Sequence, residues 1–198
     1  LQGLRRYLSR LRLWRCSRAW WALLVVGLPL VFFIGAVLKG DLIAAMPRFS
    51  SWQSLATLLG LALIKGPVEE FGWRGLALPL LQRRLAPIWA ALILGMVWGF
   101  WHLPAFMLSG TQQSAWSFAP FFVGTVAISV LMTALFNASA GSTLLAALFH
   151  FQLINPLWPE AQPYDTYLLV VVAALVVVLN RGVIFSRDGA STEVIPRA

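Results

Sequence analysis

Short polar breaks divide the chain into six apolar runs, each near the ~20 residues an α-helix needs to cross a bilayer core. They cover residues 20–38, 52–81, 88–108, 118–136, 142–158 and 167–179, the last extending towards 185. The breaks are 39–51, 82–87, 109–117, 137–141 and 159–165. Hydrophobic residues make up 60% of the chain and charged residues 11%, with a mean hydropathy of +0.79. A soluble domain carries about 25% charged residues. The expected fold is therefore all-α: one polytopic membrane helix bundle of about six transmembrane helices. Its expected parts are a basic N-terminal arm (1–18), a transmembrane domain (19–185, with its chemistry between about 50 and 160), and a polar, loosely ordered tail (186–198).

Charge sets the expected orientation. The net charge is +8, and six of the fifteen basic residues (Arg5, Arg6, Arg10, Arg12, Arg15 and Arg18) precede the first apolar run. Basic residues beside a span mark the cytoplasmic side and attract anionic headgroups, so the partner implied is a lipid bilayer and not nucleic acid. Arg5-Arg6 is read as part of this arm, because the apolar run behind it is too long for a signal sequence and lacks an obvious cleavage site. With six spans and both termini inside, Arg83, Arg84, Arg181 and Arg187 fall inside and Glu160 and Asp165 outside. Lys39 and Arg48 are the exceptions. Tryptophans 14, 20, 21, 52, 116 and 158 lie near the proposed span ends, as interfacial aromatics do; the tryptophans are read as anchors or packing residues. The one cysteine, Cys16, rules out an intramolecular disulfide. The chain does not begin with Met, which leaves the native start open.

The second run carries the chemistry. It contains Gly66-Pro67-Val68-Glu69-Glu70-Phe71-Gly72-Trp73-Arg74-Gly75. A carboxylate at mid-membrane depth costs about 2.5 kcal/mol or more on insertion, so an adjacent pair there reads as a site. Helical spacing allows Glu70 to pair with Arg74 and Lys65 with Glu69, while the two glutamates point about 100° apart. This suits a structural Glu70–Arg74 pair and a working Glu69. Pro67 removes a backbone donor and Gly66 loosens the same turn, so a kink is expected there. The chain's two histidines, His102 and His150, lie in the third and fifth runs. Imidazole binds metal, takes a proton or donates to an oxyanion, and glutamate activates water. The zincin HExxH motif is absent. Asn155 follows His150 by five and is a candidate for orienting substrate; Asn137 reads as a turn or cap residue.

Together these stretches resemble the CPBP family of intramembrane proteases, which includes the CAAX prenyl-protein endopeptidases and bacterial relatives linked to bacteriocin processing and self-immunity. The family's EExxxR motif matches Glu69, Glu70 and Arg74. Its FxxxH motif matches at His102, with Trp98 in place of Phe. Its third motif, His followed four later by Asn, matches at His150, but Ile154 fills the fourth position and Asn155 the fifth. That shift turns the amide by about 100° on a continuous helix; Pro156 marks a helix end there. The resemblance implies an intramembrane endopeptidase with its motif residues on helices two, three and five, facing an internal cavity. Glu69 would be the general base, assisted by His102. His150 and Asn155 would stabilise the tetrahedral intermediate, and Glu70 and Arg74 would support the motif helix. A Zn²⁺ on Glu69, His102 and His150 is chemically reasonable, and so is a metal-free site. The implied substrate is a peptide or membrane-protein segment, and the implied location a bacterial inner membrane. The rival readings are an inactive immunity or scaffold protein of the same fold and a proton-coupled carrier. The oligomeric state is not legible.

Overall fold

The structure is a computed structural model and describes residues 2–40 and 42–196. Among these residues there are helices and no strands. The basic arm forms α1 (Gln2–Leu8), followed by a 3₁₀ turn, Ser9–Arg12. Next come α2 (Arg18–Lys39) and the short α3 (Leu42–Ala45). The long motif helix α4 covers residues 52–82 as Trp52–Gly72, a π turn Trp73–Ala77, and Leu78–Gln82. Then follow α5 (Pro87–Met107), α6 (Phe118–Ala138), α7 (Thr143–Leu153), α8 (Tyr164–Leu179) and α9 (Arg181–Ile184).

Helices α2, α5 and α6 are each long and apolar enough to cross a membrane, and α7 and α8 are shorter apolar helices. With α4 they account for the six runs. The protein is thus an all-α integral membrane bundle, with Glu69, Glu70 and Arg74 on α4, His102 on α5 and His150 on α7. Local chemistry explains the boundaries. Ser51 caps α4 by accepting from Ser54 N–H, in a reciprocal capping box, and Ser142 caps α7 through Leu145 N–H. Pro87 and Pro163 open α5 and α8, where a missing N–H costs nothing.

The fifth helix departs from expectation. Its run covered 142–158, but α7 ends at Leu153. Pro156 cannot donate to the helix and disfavours helical geometry in the residue before it. Eleven residues rise only about 16 Å, half a hydrocarbon core. Pro67 lies inside the helical stretch Trp52–Gly72, and the π turn Trp73–Ala77 begins six residues after it.

The core forms where α6 packs along α5 and α8, α8 along α2, and α7 along α4. Leu131, Met132 and Leu135 of α6 meet Leu145 and Phe149 of α7 there, all fully buried. The Ser129 hydroxyl donates to the Ala91 carbonyl at 2.9 Å and ties α6 to α5.

Within residues 186–196, backbone groups of the tail hydrogen-bond to the bundle. Ser191 N–H donates to Asn137 Oδ1 at 2.9 Å, and the Ser191 carbonyl accepts from Gln82 at 3.0 Å. Arg83 donates to the Thr192 carbonyl, and Arg10 to the carbonyls of Glu193 and Val194. Asn137, read as a turn residue, lies inside α6, where its amide exchanges hydrogen bonds with buried Gln82 at 3.1 and 2.6 Å.

Candidate active site

Helical spacing builds the first pair. Arg74 Nη1 donates to Glu70 Oε1 at 3.2 Å and Oε2 at 3.1 Å, and neither side chain has any exposed surface. From α7, His150 Nδ1 reaches the same Glu70 Oε1 at 2.7 Å. Gly66 makes that approach possible: a Cβ there would sit 2.5 Å from His150 Cδ2 and 2.9 Å from Cγ. The buried carboxylate is thus held between a cation on its own helix and an imidazole on a neighbour.

Glu69, one residue earlier, faces elsewhere and is half-buried. Its Oε2 accepts from two indoles, Trp73 Nε1 at 3.2 Å and Trp98 Nε1 at 3.1 Å. Its Oε1 has no protein hydrogen bond among the described residues. The ion pair with Lys65 that spacing allowed does not form; Lys65 is exposed. A cleft of about 310 Å³ lies against Glu69, walled by Val68, Gly72, Trp73, Ala77 and Trp101.

Trp98 joins the parts. Its indole N–H serves Glu69, the Arg74 guanidinium lies 4.9 Å from the centre of its ring, and the His150 ring packs on it at 5.1 Å. Stacking on an indole suits a buried guanidinium; Arg74 Nε and Nη2 have no hydrogen-bond partner among the described residues. His102 sits where α5 breaks, between Pro87–Trp101 and Leu103–Met107. Its Nδ1 is 2.8 Å from the Trp98 carbonyl. A carbonyl only accepts, so Nδ1 carries a proton, and Nε2 is the ring nitrogen left uncommitted. Phe121 packs on the ring at 5.2 Å.

The structure therefore brings Glu70, Arg74 and His150 into direct contact, and links Glu69 and His102 to them through Trp98. Asn155 lies apart: its amide donates to Gln152 at 3.4 Å and accepts from Leu157 N–H at 3.0 Å, closing the turn after α7. Among the described residues no group of three or more His, Cys, Asp or Glu side chains is gathered to hold a metal. Each imidazole engages Nδ1, His102 with the Trp98 carbonyl and His150 with Glu70, and keeps Nε2 uncommitted. Trp73 and Trp98 were missed in the sequence, where tryptophans read as anchors. Trp73 was available as the residue four after Glu69, and Trp98 as the aromatic four before His102.

The bundle thus holds a buried carboxylate–imidazole pair, Glu70 and His150, with Glu69 beside a cleft. A family model described as type II CAAX prenyl endopeptidase Rce1-like matches residues 51–157, a segment that includes every candidate site residue. The chain belongs to this family and is a CAAX-type intramembrane protease. It is 27% identical over 187 residues to CAAX prenyl protease 2 of Methanococcus maripaludis, an alignment covering 82% of this chain and 69% of that protein.

Proposed function

We propose that the protein is an endopeptidase in which Glu69 is the general base. The observation that carries this reading is the asymmetry of its carboxylate: one oxygen is fixed by two indole N–H groups, and the other is free beside the cleft. A fixed carboxylate with a free oxygen suits proton abstraction from water. The water proton passes to Glu69 as the water oxygen attacks the peptide carbonyl carbon. His102 Nε2 accepts a hydrogen bond from the water's other O–H, which stays on the attacking oxygen, and so orients it. The carbonyl oxygen becomes an oxyanion. His150, held at Nδ1 by Glu70, is the donor to that oxyanion. Glu69 returns its proton to the leaving nitrogen, and the C–N bond breaks. Glu70 and Arg74 hold α4 and α7 in register. Asn155 has no step in this scheme, since its amide is engaged in its own turn, and no step passes through a metal.

The substrate is a membrane-associated polypeptide. The name of the relative, CAAX prenyl protease 2, favours a C-terminal tail carrying a prenylated cysteine. The chain sits in a bacterial inner membrane with both termini in the cytoplasm. The contacts of Arg10 with the Glu193 and Val194 carbonyls support placing the arm and tail on one side, and the basic residues of the arm support a cytoplasmic side.

The test is turnover of a quenched fluorescent peptide with an S-farnesyl cysteine three residues from its C terminus. Wild type should cleave it and Glu69→Gln should not, at equal folding. The position of Asn155 favours one alternative, an inactive immunity or scaffold protein, in which Glu69→Gln would leave the biological activity intact.

A further inference from the structure

The basic arm does more than face lipid. Tyr7 donates its hydroxyl to the Phe71 carbonyl at 2.5 Å. Phe71 directly follows Glu70 and lies two residues before the π turn Trp73–Ala77. π turns shift helical bonding and concentrate at functional sites. Gly75 makes room for this contact, since a Cβ there would overlap the Tyr7 hydroxyl and lie 3.0 Å from its Cζ. Burial pushes the Tyr7 phenol up from its ordinary value, against an opposing pull from Arg10, so the hydroxyl stays a donor.

Three residues further on, the same arm grips the other motif helix. Arg10, 2% exposed, donates Nη1 to the Gly141 carbonyl at 2.6 Å. Gly141 has φ +84°, and a Cβ there would overlap Arg10 Nη1. Ser142, which caps α7, donates its hydroxyl to the Leu13 carbonyl. His150 stands seven residues beyond Thr143, about 10 Å along α7. Residues 7–13 therefore bridge the helix carrying Glu70 to the start of the helix carrying His150, and these two side chains meet at 2.7 Å. The arm lies outside the segment 51–157 that the family model matches.

We propose that the N-terminal arm is a positioning brace for the active site, with Tyr7 and Arg10 as positioning residues that set α4 against α7 and so fix the Glu70–His150 contact. The link to turnover rests on the catalytic reading above; the link to geometry does not. Arg10 also holds the tail carbonyls of Glu193 and Val194, so the tail clamps the brace from behind.

The test uses the chain's two histidines. In ¹⁵N-histidine-labelled full-length protein in nanodiscs, the Nδ1–H of His150 should resonate far downfield because of its bond to Glu70. Tyr7→Phe removes one oxygen and leaves the ring on Phe71. It should move and broaden the His150 signal, leave His102 unchanged, and leave the thermal midpoint within a few degrees. Turnover of the farnesylated peptide should fall about tenfold at unchanged KM, as a sub-ångström misplacement costs. Gly75→Ala, which fills the seat of the hydroxyl, should shift His150 in the same direction. A His150 signal in Tyr7→Phe that superimposes on wild type overturns the proposal. If Glu69→Gln retains wild-type turnover, the catalytic reading fails, and the His150 signal still decides the brace.

Discussion

Replacing Gly66 by alanine tests how tightly α4 and α7 must fit. The added methyl would lie 2.5 Å from His150 Cδ2, 2.8 Å from Ile154 Cδ1 and 2.9 Å from His150 Cγ. Carbon atoms rest at about 3.5–4.0 Å, so the imidazole must retreat by about 1 Å. Its 2.7 Å contact with Glu70 cannot survive that retreat at full strength. Overpacking costs about 1–3 kcal/mol, while alanine in a helix regains up to about 1 kcal/mol over glycine. The net stability loss is therefore small, of the order of 1 kcal/mol. The loss of turnover is not small: a misplacement of this size at a catalytic group costs about a hundredfold. The control is Gly60→Ala on the same helix, where a Cβ meets nothing within 4 Å; it should raise stability by about 0.4–1 kcal/mol and keep turnover. Both variants are compared by peptide turnover and thermal unfolding in one detergent. Wild-type turnover in Gly66→Ala would refute the claim that the His150 ring must sit against α4.

Arg74→Met should destabilise the fold by about 3–5 kcal/mol, because it strands a buried Glu70 carboxylate; the double variant Arg74→Met/Glu70→Leu should recover most of the loss in a thermal melt. Trp98→Ala should cost about 3–5 kcal/mol as well, whereas Trp98→Phe keeps the ring over Arg74 and His150, loses one donor to Glu69, and should fold normally with turnover lowered about tenfold. Asn155→Ala should change turnover less than about twofold, since only a turn hydrogen bond worth about 1 kcal/mol is lost; a hundredfold loss would place its amide at the oxyanion. EDTA should leave turnover intact, because Glu69, His102 and His150 are not gathered as ligands; loss restored by Zn²⁺ would show that they close around a metal.

The helices were legible because apolar length is a property of the chain itself. The Glu70–Arg74 pair was legible because i and i+4 share a face. The same spacing offered Lys65 to Glu69, yet Lys65 is exposed and two indole donors, Trp73 and Trp98, take its place. Trp98 misled because hydropathy weighs the whole ring, while the site uses its N–H and its face. The end of α7 was hidden by Ile154, Leu157 and Trp158, which continue the apolar run past Pro156. The arm and tail could not be read as structure because they are held largely through backbone carbonyls, on Arg10, Gln82 and Arg83, and every residue carries a carbonyl.

The central claim is that Glu69 drives peptide hydrolysis in the membrane. The direct measurement compares new peptide termini in the membrane proteomes of cells expressing wild type or equally abundant, folded Glu69→Ala. Termini present with wild type and absent with the variant are the predicted result. Identical sets of termini would contradict the account and favour a scaffold or immunity role.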